Sequence, residues 1–414
     1  MTGSELVRGD RTDLNGPFVA RATFALGLEP ARITIVGDEP GELRRALREG
    51  LEADLCVVTG GLGPTHDDRT VELLGEVTGR PPTVDPALEA EIGALSRAFA
   101  ERLGRPYSDF EPGVRKQASL PRGSHSLGLA GTAPGIVLEH RGCVVVVLPG
   151  PPRELQRLWP RAVESPLVRT LLARAEPPDL RILRFFGVSE SAVATALAAA
   201  GGDGEGVEVT ICARDFEIHV DLVVEPGAGE RATELAGRLG ASLEPHLFAH
   251  DERPIEELVL ELCRAGGLTL ATAESCTGGM VASRLTGVAG SSDVFEGAIV
   301  AYADAVKRDE LGVDEELLRV HGAVSAEVAR AMSGGARRAL GADVAVAVTG
   351  IAGPDGGTPE KPVGLVHLHA SGPDGERAVD FNLRGDRETI RRRATVTALH
   401  LVRRLLTQNG HTPV

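Results

Sequence analysis

The sequence has few aromatic residues, few cysteines and no long apolar run. Aromatic side chains make up 3% of the 414 residues, so the hydrophobic cores must be built from aliphatic side chains and alanine. The five cysteines are odd in number and irregularly spaced, which argues against a disulfide framework or a zinc site and favours a reducing compartment. No apolar run reaches the roughly 18 residues of a membrane span, and no signal peptide follows Met1. We therefore expect a cytoplasmic protein without a membrane partner.

The chain also has an excess of acidic over basic residues. Its formal net charge is −15, which repels nucleic acid, so no nucleic-acid partner is expected. This charge does not exclude a small anionic ligand held by local N–H groups. A chain of 414 residues exceeds what one hydrophobic core usually serves, so two or three domains are expected.

Three segments with different patterns follow one another along the chain. In the first, residues 32–37 and 54–61 are predicted to be buried strands on either side of a helix, and residues 143–154 a strand running into a Gly-Pro turn. This spacing is typical of parallel βαβ units. The second segment combines a strand, an alanine-rich helix and a hairpin, and the third alternates five strands with helices. The predicted domains are an α/β domain at 1–168, a small α+β module at 179–250 and an α/β domain at 251–411.

The first candidate site is the stretch TGGLGPTHDDRT, residues 59–70, between a predicted strand and a predicted helix. Its glycines let the backbone turn tightly and present N–H groups, and a helix N-terminus favours an anion. Asp67 and Asp68 can hold a divalent cation or orient water against a phosphate. The alternative is a tight turn with an aspartate helix cap. A second Gly-Pro loop at a strand end, residues 149–154, favours a ligand site whose other members are Gly60, Gly61, Gly63 and Thr65.

The second candidate site is the stretch ESCTGG, residues 274–279, which places two potential nucleophiles before two glycines. Ser275 is predicted to lie at a strand-to-helix turn, where backbone N–H groups can hold a developing oxyanion. The alternative is that Ser275 caps the helix. A nucleophilic serine needs a base. Tyr302 and Lys307 follow the next strand, although a lysine acts as a base only as the neutral amine and a lone helical lysine is usually solvated. The other bases available before the last helix are His321, His367 and His369.

A long Gly/Pro-rich loop, residues 348–364, follows another predicted strand. Loops of this length are uncommon in compact domains unless they have a function. Its N–H groups and Thr349 can cradle a phosphate, and the guanidinium groups of Arg387 and Arg391 are candidate phosphate partners.

These motifs together resemble the CinA family, the competence/damage-inducible protein A proteins, over nearly the whole chain. TGGLGPTHDD, GTAPG (131–135) and PGPPRE look like the MoaB/MogA-type molybdopterin-binding fold. The middle segment resembles a KH-like linker domain that lacks a GxxG-type RNA-binding loop. The third segment resembles the PncC-type nicotinamide-nucleotide amidohydrolase domain through ESCTGG, AGSSDVFEGAIVAYADAVK, HGAVS, TGIAGPDGG, KPVG and GDRETIRRRA. The chain departs from the family pattern at its start, where only Met1 and Thr2 precede Gly3 instead of an apolar strand.

The resemblance implies two hydrolytic activities and a homodimer. The C-terminal domain would convert nicotinamide mononucleotide (NMN) to nicotinic acid mononucleotide and ammonia, with Ser275 as nucleophile, Lys307 as base, Tyr302 as an orienting group and no cofactor. The N-terminal domain would be a metal-dependent ADP-ribose pyrophosphatase with Asp67 and Asp68 as metal ligands. The alternative is a nucleotide- or pterin-binding regulatory adaptor linked to competence, without turnover. The amidohydrolase substrate contacts would be Thr277, Gly278, Gly279, Thr349, Gly350, Gly353, Arg387 and Arg391.

Overall fold

The computed structural model describes residues 1–407, and the chain separates into two compact units, Met1–Pro178 and a second that begins at Asp179. Residues 408–411 of the predicted C-terminal domain lie outside the described residues. Among the described helices, none is both long and apolar enough to cross a membrane.

A four-stranded mixed sheet forms the centre of the first unit. The strands of this unit are β1 Leu55–Thr59, β2 Pro82–Val84, β3 Ser119–Pro121, β4 His125–Leu129, β5 Pro134–His140 and β6 Cys143–Leu148. The sheet order is β1-β6-β5-β4, in which only β1 and β6 are parallel, while β2 and β3 form a separate small ladder. All six residues of β6 are buried, as expected for a strand covered on both faces.

The helices of the first unit bury aliphatic residues against this sheet. They are α1 Ser4–Val7, α2 Asn15–Phe24, α3 Pro40–Gly50, α4 Thr70–Thr78, α5 Pro86–Leu103, α6 Glu111–Gln117, α7 Pro152–Glu164 and α8 Pro166–Leu172. Because β1 and β6 are parallel, their carboxyl ends lie at the same edge of the sheet. The loops after Thr59 and Leu148 therefore meet there.

The predicted buried strand at residues 32–37 is not formed. Only Val36 makes a β-bridge, with Thr2, and the Gly3 N–H donates to the Val36 carbonyl at 3.0 Å. The Thr2 N–H donates to the Thr59 carbonyl at 2.9 Å, so this short segment lies between Val36 and β1. Within residues 1–407, residues 32–35 belong to no β-ladder, although the Met1 amino group donates to the Thr34 carbonyl at 2.9 Å. Ile33 and Ile35 are 48% and 41% exposed.

The second unit begins with a four-stranded antiparallel sheet in the order β10-β7-β9-β8. Two helices pack on this sheet around Leu183, Phe185 and Val220. The elements are β7 Asp179–Phe186, α9 Glu190–Ala200, β8 Val207–Arg214, β9 Glu217–Val224, α10 Gly229–Ser242 and β10 Leu247–Ala249.

A five-stranded mixed sheet with helices on both faces follows. Its elements are α11 Ile255–Gly266, β11 Leu270–Glu274, α12 Met280–Thr286, β12 Phe295–Val300, α13 Asp304–Asp309, α14 Glu315–His321, α15 Ala326–Leu340, β13 Val344–Gly350, β14 Leu365–Gly372, β15 Gly375–Asn382 and α16 Arg387–Thr407. The order is β12-β11-β13-β14-β15, with β11 parallel to β12 and β13. The carboxyl ends of three parallel strands therefore meet at one edge, where ligands bind in open α/β sheets.

Alternation along β13 explains why this sheet is covered on both faces. Val344, Val346 and Val348 belong to the core that includes α11 and α16, whereas Ala345 and Ala347 belong to the core that includes α15. Successive strand residues point to opposite faces, so one strand serves two aliphatic cores.

Candidate functional site

Strand β11 delivers Ser275 to the carboxyl edge of the five-stranded sheet. The Ser275 N–H donates to the Val348 carbonyl at 2.9 Å, which continues the pairing with β13 for one residue. On the other side, the Ala301 N–H donates to the Glu274 carbonyl at 2.8 Å. Hydrogen bonds to β13 and to the residue that follows β12 thus fix the backbone at Ser275.

Two glycines then turn the chain from β11 into α12. Gly278 and Gly279 have φ values of 61° and 93°, a left-handed conformation that costs other residues free energy. The Gly278 N–H donates to the Ser275 carbonyl at 3.1 Å and closes the turn. A Cβ atom at Gly278 would also lie 3.3 Å from Nη2 of Arg391, so the position is sterically tight.

The N–H groups of this loop differ in whether they donate a hydrogen bond to an oxygen atom. Gly278 donates to the Ser275 carbonyl, and Gly279 donates to Oε2 of Glu274 at 3.0 Å. Within residues 1–407, the N–H groups of Cys276 and Thr277 donate to no oxygen atom. The candidate oxyanion donors are therefore Cys276 and Thr277, and the two glycines expected to contribute N–H groups act through the turn instead.

Arg391 on α16 holds the carbonyl side of the same loop. Its Nε donates to the Cys276 carbonyl at 3.1 Å and its Nη2 to the Thr277 carbonyl at 2.9 Å. In a trans peptide the C=O and N–H groups point in opposite directions. Holding the Cys276 carbonyl towards α16 thus directs the Thr277 N–H away from that helix. The side chain expected to contact phosphate is engaged with the loop.

Cys276, the other potential nucleophile, faces the interior. It is buried in the same core as Val281 and Ile390. Burial raises the pKa of the Cys276 thiol to about 11, although the N–H groups of residues 276 and 277 oppose the shift. The thiolate is the nucleophilic form of cysteine, and the raised pKa disfavours this form near neutral pH, so Ser275 is the better candidate.

Lys307 is buried at the strand end next to Ser275. The side chain is on α13, its residue is 1% exposed, and its Nζ donates to the Tyr302 carbonyl at 3.2 Å and to Oδ1 of Asp304 at 3.4 Å. β12 and β11 are adjacent, with Val300 opposite Glu274. Lys307 therefore reaches back to the segment that follows β12, one strand away from Ser275. No hydrogen bond joins Nζ of Lys307 to Ser275 within residues 1–407.

The Tyr302 hydroxyl, expected to orient the Ser275–Lys307 pair, hydrogen-bonds to neither residue within residues 1–407. Tyr302 is 62% exposed, and its hydroxyl accepts a hydrogen bond from Nη2 of Arg387 at 3.1 Å. Nη1 of Arg387 donates to the Gly353 carbonyl at 2.6 Å. Arg387 thus connects Tyr302 with the Gly/Pro-rich loop.

The loop that follows β13 is fixed by two side chains. Thr349 is fully buried and its hydroxyl donates to the Ala323 carbonyl at 2.8 Å, so it does not face a ligand. Nζ of Lys361 donates to the carbonyls of His321 and Val324 at 2.6 and 2.7 Å. At Gly350 a Cβ atom would lie 2.7 Å from the Leu365 carbonyl oxygen, so only glycine permits this close backbone approach.

The three histidines considered as alternative bases have other environments. Nδ1 of His369 lies 2.7 Å from the Ser333 hydroxyl in the protein interior, and burial lowers the pKa of His369 and of His367. Nδ1 of His321 lies 3.5 Å from the Glu327 carboxylate. None of these three imidazoles hydrogen-bonds to Ser275 in the part of the chain that the structure describes.

The glycine loop of the first unit lines a cavity of about 140 Å³ together with Asp68, Lys116 and Gln117. Gly60 and Gly61 have φ values of 96° and 65°, and Cβ atoms there would meet atoms of Thr2 and Thr70 within 2.6 Å. At Gly63 a Cβ atom would lie 2.4 Å from the Asp68 carboxylate. These contacts explain the glycines of this loop without reference to a ligand.

The two aspartates of this loop do not form a protein-enclosed metal site. Oδ2 of Asp68 accepts hydrogen bonds from the N–H and the hydroxyl of Thr65, and Nζ of Lys116 donates to the Thr65 carbonyl. A hydrogen bond from Thr65 lowers the pKa of Asp67, which is fully exposed. The described residues contain no cluster of three His, Cys, Asp or Glu side chains that can hold a metal ion. These two carboxylates alone would leave most ligand positions of a divalent cation to water or to a substrate phosphate.

Comparison with known proteins decides the family. Residues 252–406 match the family model of the CinA C-terminal domain, and residues 1–170 match that of a probable molybdopterin binding domain. A CinA-like protein from Mycolicibacterium paratuberculosis is 42% identical over 428 residues, which cover 98% of this chain and 97% of that protein. A CinA-like protein from Mycolicibacterium gilvum is also 42% identical, with coverage of 99% and 98%. The chain belongs to the CinA-like protein family.

A solved structure matches part of this CinA-like chain. The competence/damage inducible protein CihA from Agrobacterium tumefaciens is 42% identical, covers 39% of this chain and 100% of its own, and has a TM-score of 0.35. The names of these relatives specify neither a substrate nor a reaction. These comparisons establish the family of the chain and leave its reaction open.

Sequence reasoning missed three side chains that shape the loops of this CinA-like chain. Glu274 binds N–H groups of the ESCTGG loop, Lys361 fixes the loop after β13, and Lys116 contacts Thr65 in the first unit. Glu274 and Lys361 lie within the motifs ESCTGG and KPVG, so the sequence did mark their positions as candidates. Lys116 lies far from its loop in sequence, and only the fold brings it there.

Proposed function

We propose that the C-terminal domain is a nicotinamide-nucleotide amidohydrolase that converts NMN to nicotinic acid mononucleotide and ammonia. The observation that carries the proposal is a pair of N–H groups, of Cys276 and Thr277, that follow Ser275 directly and donate to no oxygen atom within residues 1–407. Such a pair stabilises the oxyanion that forms when a hydroxyl attacks a carboxamide. The choice of NMN as the substrate rests on the resemblance of the motifs to the PncC-type domain.

In the proposed reaction, the Ser275 oxygen attacks the carboxamide carbon while Lys307, as the neutral amine, accepts the hydroxyl proton. The tetrahedral oxyanion is held by the N–H groups of Cys276 and Thr277. Lys307 then gives its proton to the departing ammonia, which leaves an acyl-enzyme. Water activated by the same amine hydrolyses the ester and returns Ser275 to its starting form. The position of Lys307 supports this role, because its Nζ donates to the Tyr302 carbonyl just after β12, the strand adjacent to β11.

The test is ammonia release from NMN by the purified protein, with products identified by mass. Ser275→Ala should abolish release, whereas Cys276→Ala should retain most of it, because the Cys276 thiol faces the core. The two substitutions differ by one position and are matched in size. An active Ser275→Ala protein together with an inactive, folded Cys276→Ala protein would assign the nucleophile to Cys276.

A binding role without turnover is the rival proposal. Tight binding of NMN with no ammonia release under any condition tested would favour a regulatory adaptor. The homodimer and the three-domain division with a KH-like middle module are parts of the same proposal. Sedimentation of the purified chain tests the dimer, and limited proteolysis near residue 178 and near residue 250 tests the division.

A second activity, hydrolysis of the ADP-ribose pyrophosphate, is proposed for the first unit. The observation that favours it is the cavity lined by Gly61, Gly63, Asp68 and Lys116, which combines loop glycines with a cation. Asp68→Asn keeps the size of the side chain and removes its charge. It should abolish hydrolysis of ADP-ribose measured with added divalent metal and leave ammonia release from NMN unchanged. Wild-type protein that is inert towards ADP-ribose with each metal would refute the activity.

A further inference from the structure

Glu274 is a fully buried carboxylate that lies immediately before the proposed nucleophile. Its Oε2 accepts hydrogen bonds from the N–H groups of Gly279 at 3.0 Å and Val281 at 3.1 Å. Its Oε1 accepts from the Ala282 N–H at 2.9 Å and from the Thr272 hydroxyl at 3.3 Å. Four donors thus surround one side chain that has no access to water.

No cationic side chain pairs with this carboxylate within residues 1–407. Its partners in the described part of the chain are dipolar groups, three of them N–H groups at the start of α12. The first N–H groups of a helix have no acceptor within the helix and carry partial positive charge, which favours an anion there. The Glu274 carboxylate is therefore the anion that accepts from the N–H groups at the start of α12.

The geometry points to Glu274 as a positioning residue for the oxyanion-binding peptide groups. By accepting from Gly279, Val281 and Ala282, the carboxylate fixes where α12 begins relative to the end of β11. The loop between these two points contains Cys276 and Thr277. Arg391 donates to the Cys276 and Thr277 carbonyls, and Glu274 accepts from the N–H groups that follow the loop. In the part of the chain that the structure describes, the N–H groups of Cys276 and Thr277 donate to no oxygen atom.

This role is distinct from that of a general base. All four hydrogen bonds of the carboxylate point towards α12 or back along β11, and the residue has no exposed surface through which a substrate can approach. Glu274 acts through the backbone of the loop. Its chemical consequence, stabilisation of the oxyanion, rests on the proposed amidohydrolase function, whereas its structural consequence, the order of the loop, does not.

The test compares Glu274→Gln and Glu274→Asp with Ser333→Ala. Glutamine keeps the size but replaces one oxygen with an NH₂ group, which cannot accept from an N–H. Aspartate keeps the charge but is one methylene shorter. Ser333 is a matched control, because it is also fully buried and hydrogen-bonded in the same unit, to His369, and within residues 1–407 it hydrogen-bonds to no residue of the loop. Activity is normalised to the folded fraction measured by circular dichroism.

We expect Glu274→Gln to lower kcat for NMN by about 10²-fold, the size of effect seen when an oxyanion donor is lost, with little change in KM. Glu274→Asp should recover part of the loss, and Ser333→Ala should lower stability but not kcat per folded molecule. A kcat for Glu274→Gln that equals the wild-type value after this normalisation would overturn the proposal.

Amide hydrogen exchange decides the same question without activity. In Glu274→Gln, the amides of Gly279, Val281 and Ala282, which donate to the carboxylate, should exchange faster than in the wild-type protein, with no change in β14. Unchanged exchange at these three amides would overturn the positioning role. If the wild-type protein releases no ammonia from NMN, the proposed function fails, and the exchange rates alone then confirm or refute the role of Glu274.

Discussion

Nε2 of His400 on α16 lies 2.7 Å from Oε1 of Glu217 on β9, and both side chains are buried. The ring of Phe186 on β7 stacks on the imidazole with 3.7 Å between ring centroids. Burial lowers the pKa of His400 to about 4. Burial alone would raise the pKa of Glu217, but the imidazoles of His219 and His400 outweigh it and lower the value to about 2. At neutral pH a neutral imidazole therefore donates to an ionised carboxylate.

The first prediction is that the second unit loses stability as the pH falls. Between the ordinary histidine value near 6.5 and the folded value near 4, the unfolded state binds the proton that His400 excludes. The lowered pKa of Glu217 extends the same trend below pH 4.5. For His400 the loss is of the order of 3 kcal/mol, from about 1.4 kcal/mol per pKa unit.

Urea unfolding from pH 7 to pH 4 measures this dependence. His400→Gln keeps a hydrogen-bond donor for Glu217 but does not titrate, so its stability should depend less steeply on pH between 6.5 and 4. Equal slopes for wild type and His400→Gln in this range would show that His400 does not cause the loss.

The second prediction concerns Lys307. Lys307→Arg should be inactive towards NMN although it keeps a long basic side chain, because a guanidinium group does not deprotonate at working pH. Lys307→Met should also be inactive and remain folded, since methionine fills a similar volume without a charge. Arg308→Met is the control, because Arg308 is a neighbouring surface residue paired with Asp309. An active Lys307→Arg protein would exclude Lys307 as the base.

The third prediction separates the two roles considered for Arg391. If Arg391 holds the carbonyls of Cys276 and Thr277, Arg391→Gln should lower kcat for NMN and for nicotinamide riboside by similar factors. If Arg391 binds the 5′-phosphate, only the reaction of NMN should suffer, since the riboside lacks that group. From the hydrogen bonds of Arg391 we expect similar factors. Ammonia release from both compounds gives the comparison, and a loss confined to NMN would contradict the loop-holding role.

The sequence predicted most of the elements that carry the site, because apolar runs and glycines act locally. The strand before ESCTGG and the turn made by Gly278 and Gly279 are formed as predicted. The strand expected at residues 32–37 is not, because strand formation also requires a neighbour, and only Val36 has one. A local apolar pattern does not show whether a neighbouring strand is present to pair with it.

The sequence did not reveal which groups hydrogen-bond to the residues of the site. Which N–H groups remain unoccupied depends on Glu274 and Arg391, and the latter lies more than a hundred positions away in the chain. The position of the Tyr302 hydroxyl depends on Arg387, which only the packing of α16 brings near. A motif therefore identifies candidate residues, whereas the hydrogen bonds that decide their roles depend on the fold.

The last prediction distinguishes the cysteines by their reactivity. Burial raises the pKa of Cys276 to about 11 and that of Cys263 to about 12, whereas Cys212 is exposed. Because alkylating reagents react with the thiolate and need access to it, iodoacetamide at pH 8 should label Cys212 of the native protein and leave Cys276 and Cys263 unmodified. Peptide mass spectrometry after native and denatured labelling measures each site. Rapid modification of native Cys276, with loss of ammonia release, would mean that this thiol faces the site and that the assignment of Ser275 must be revised.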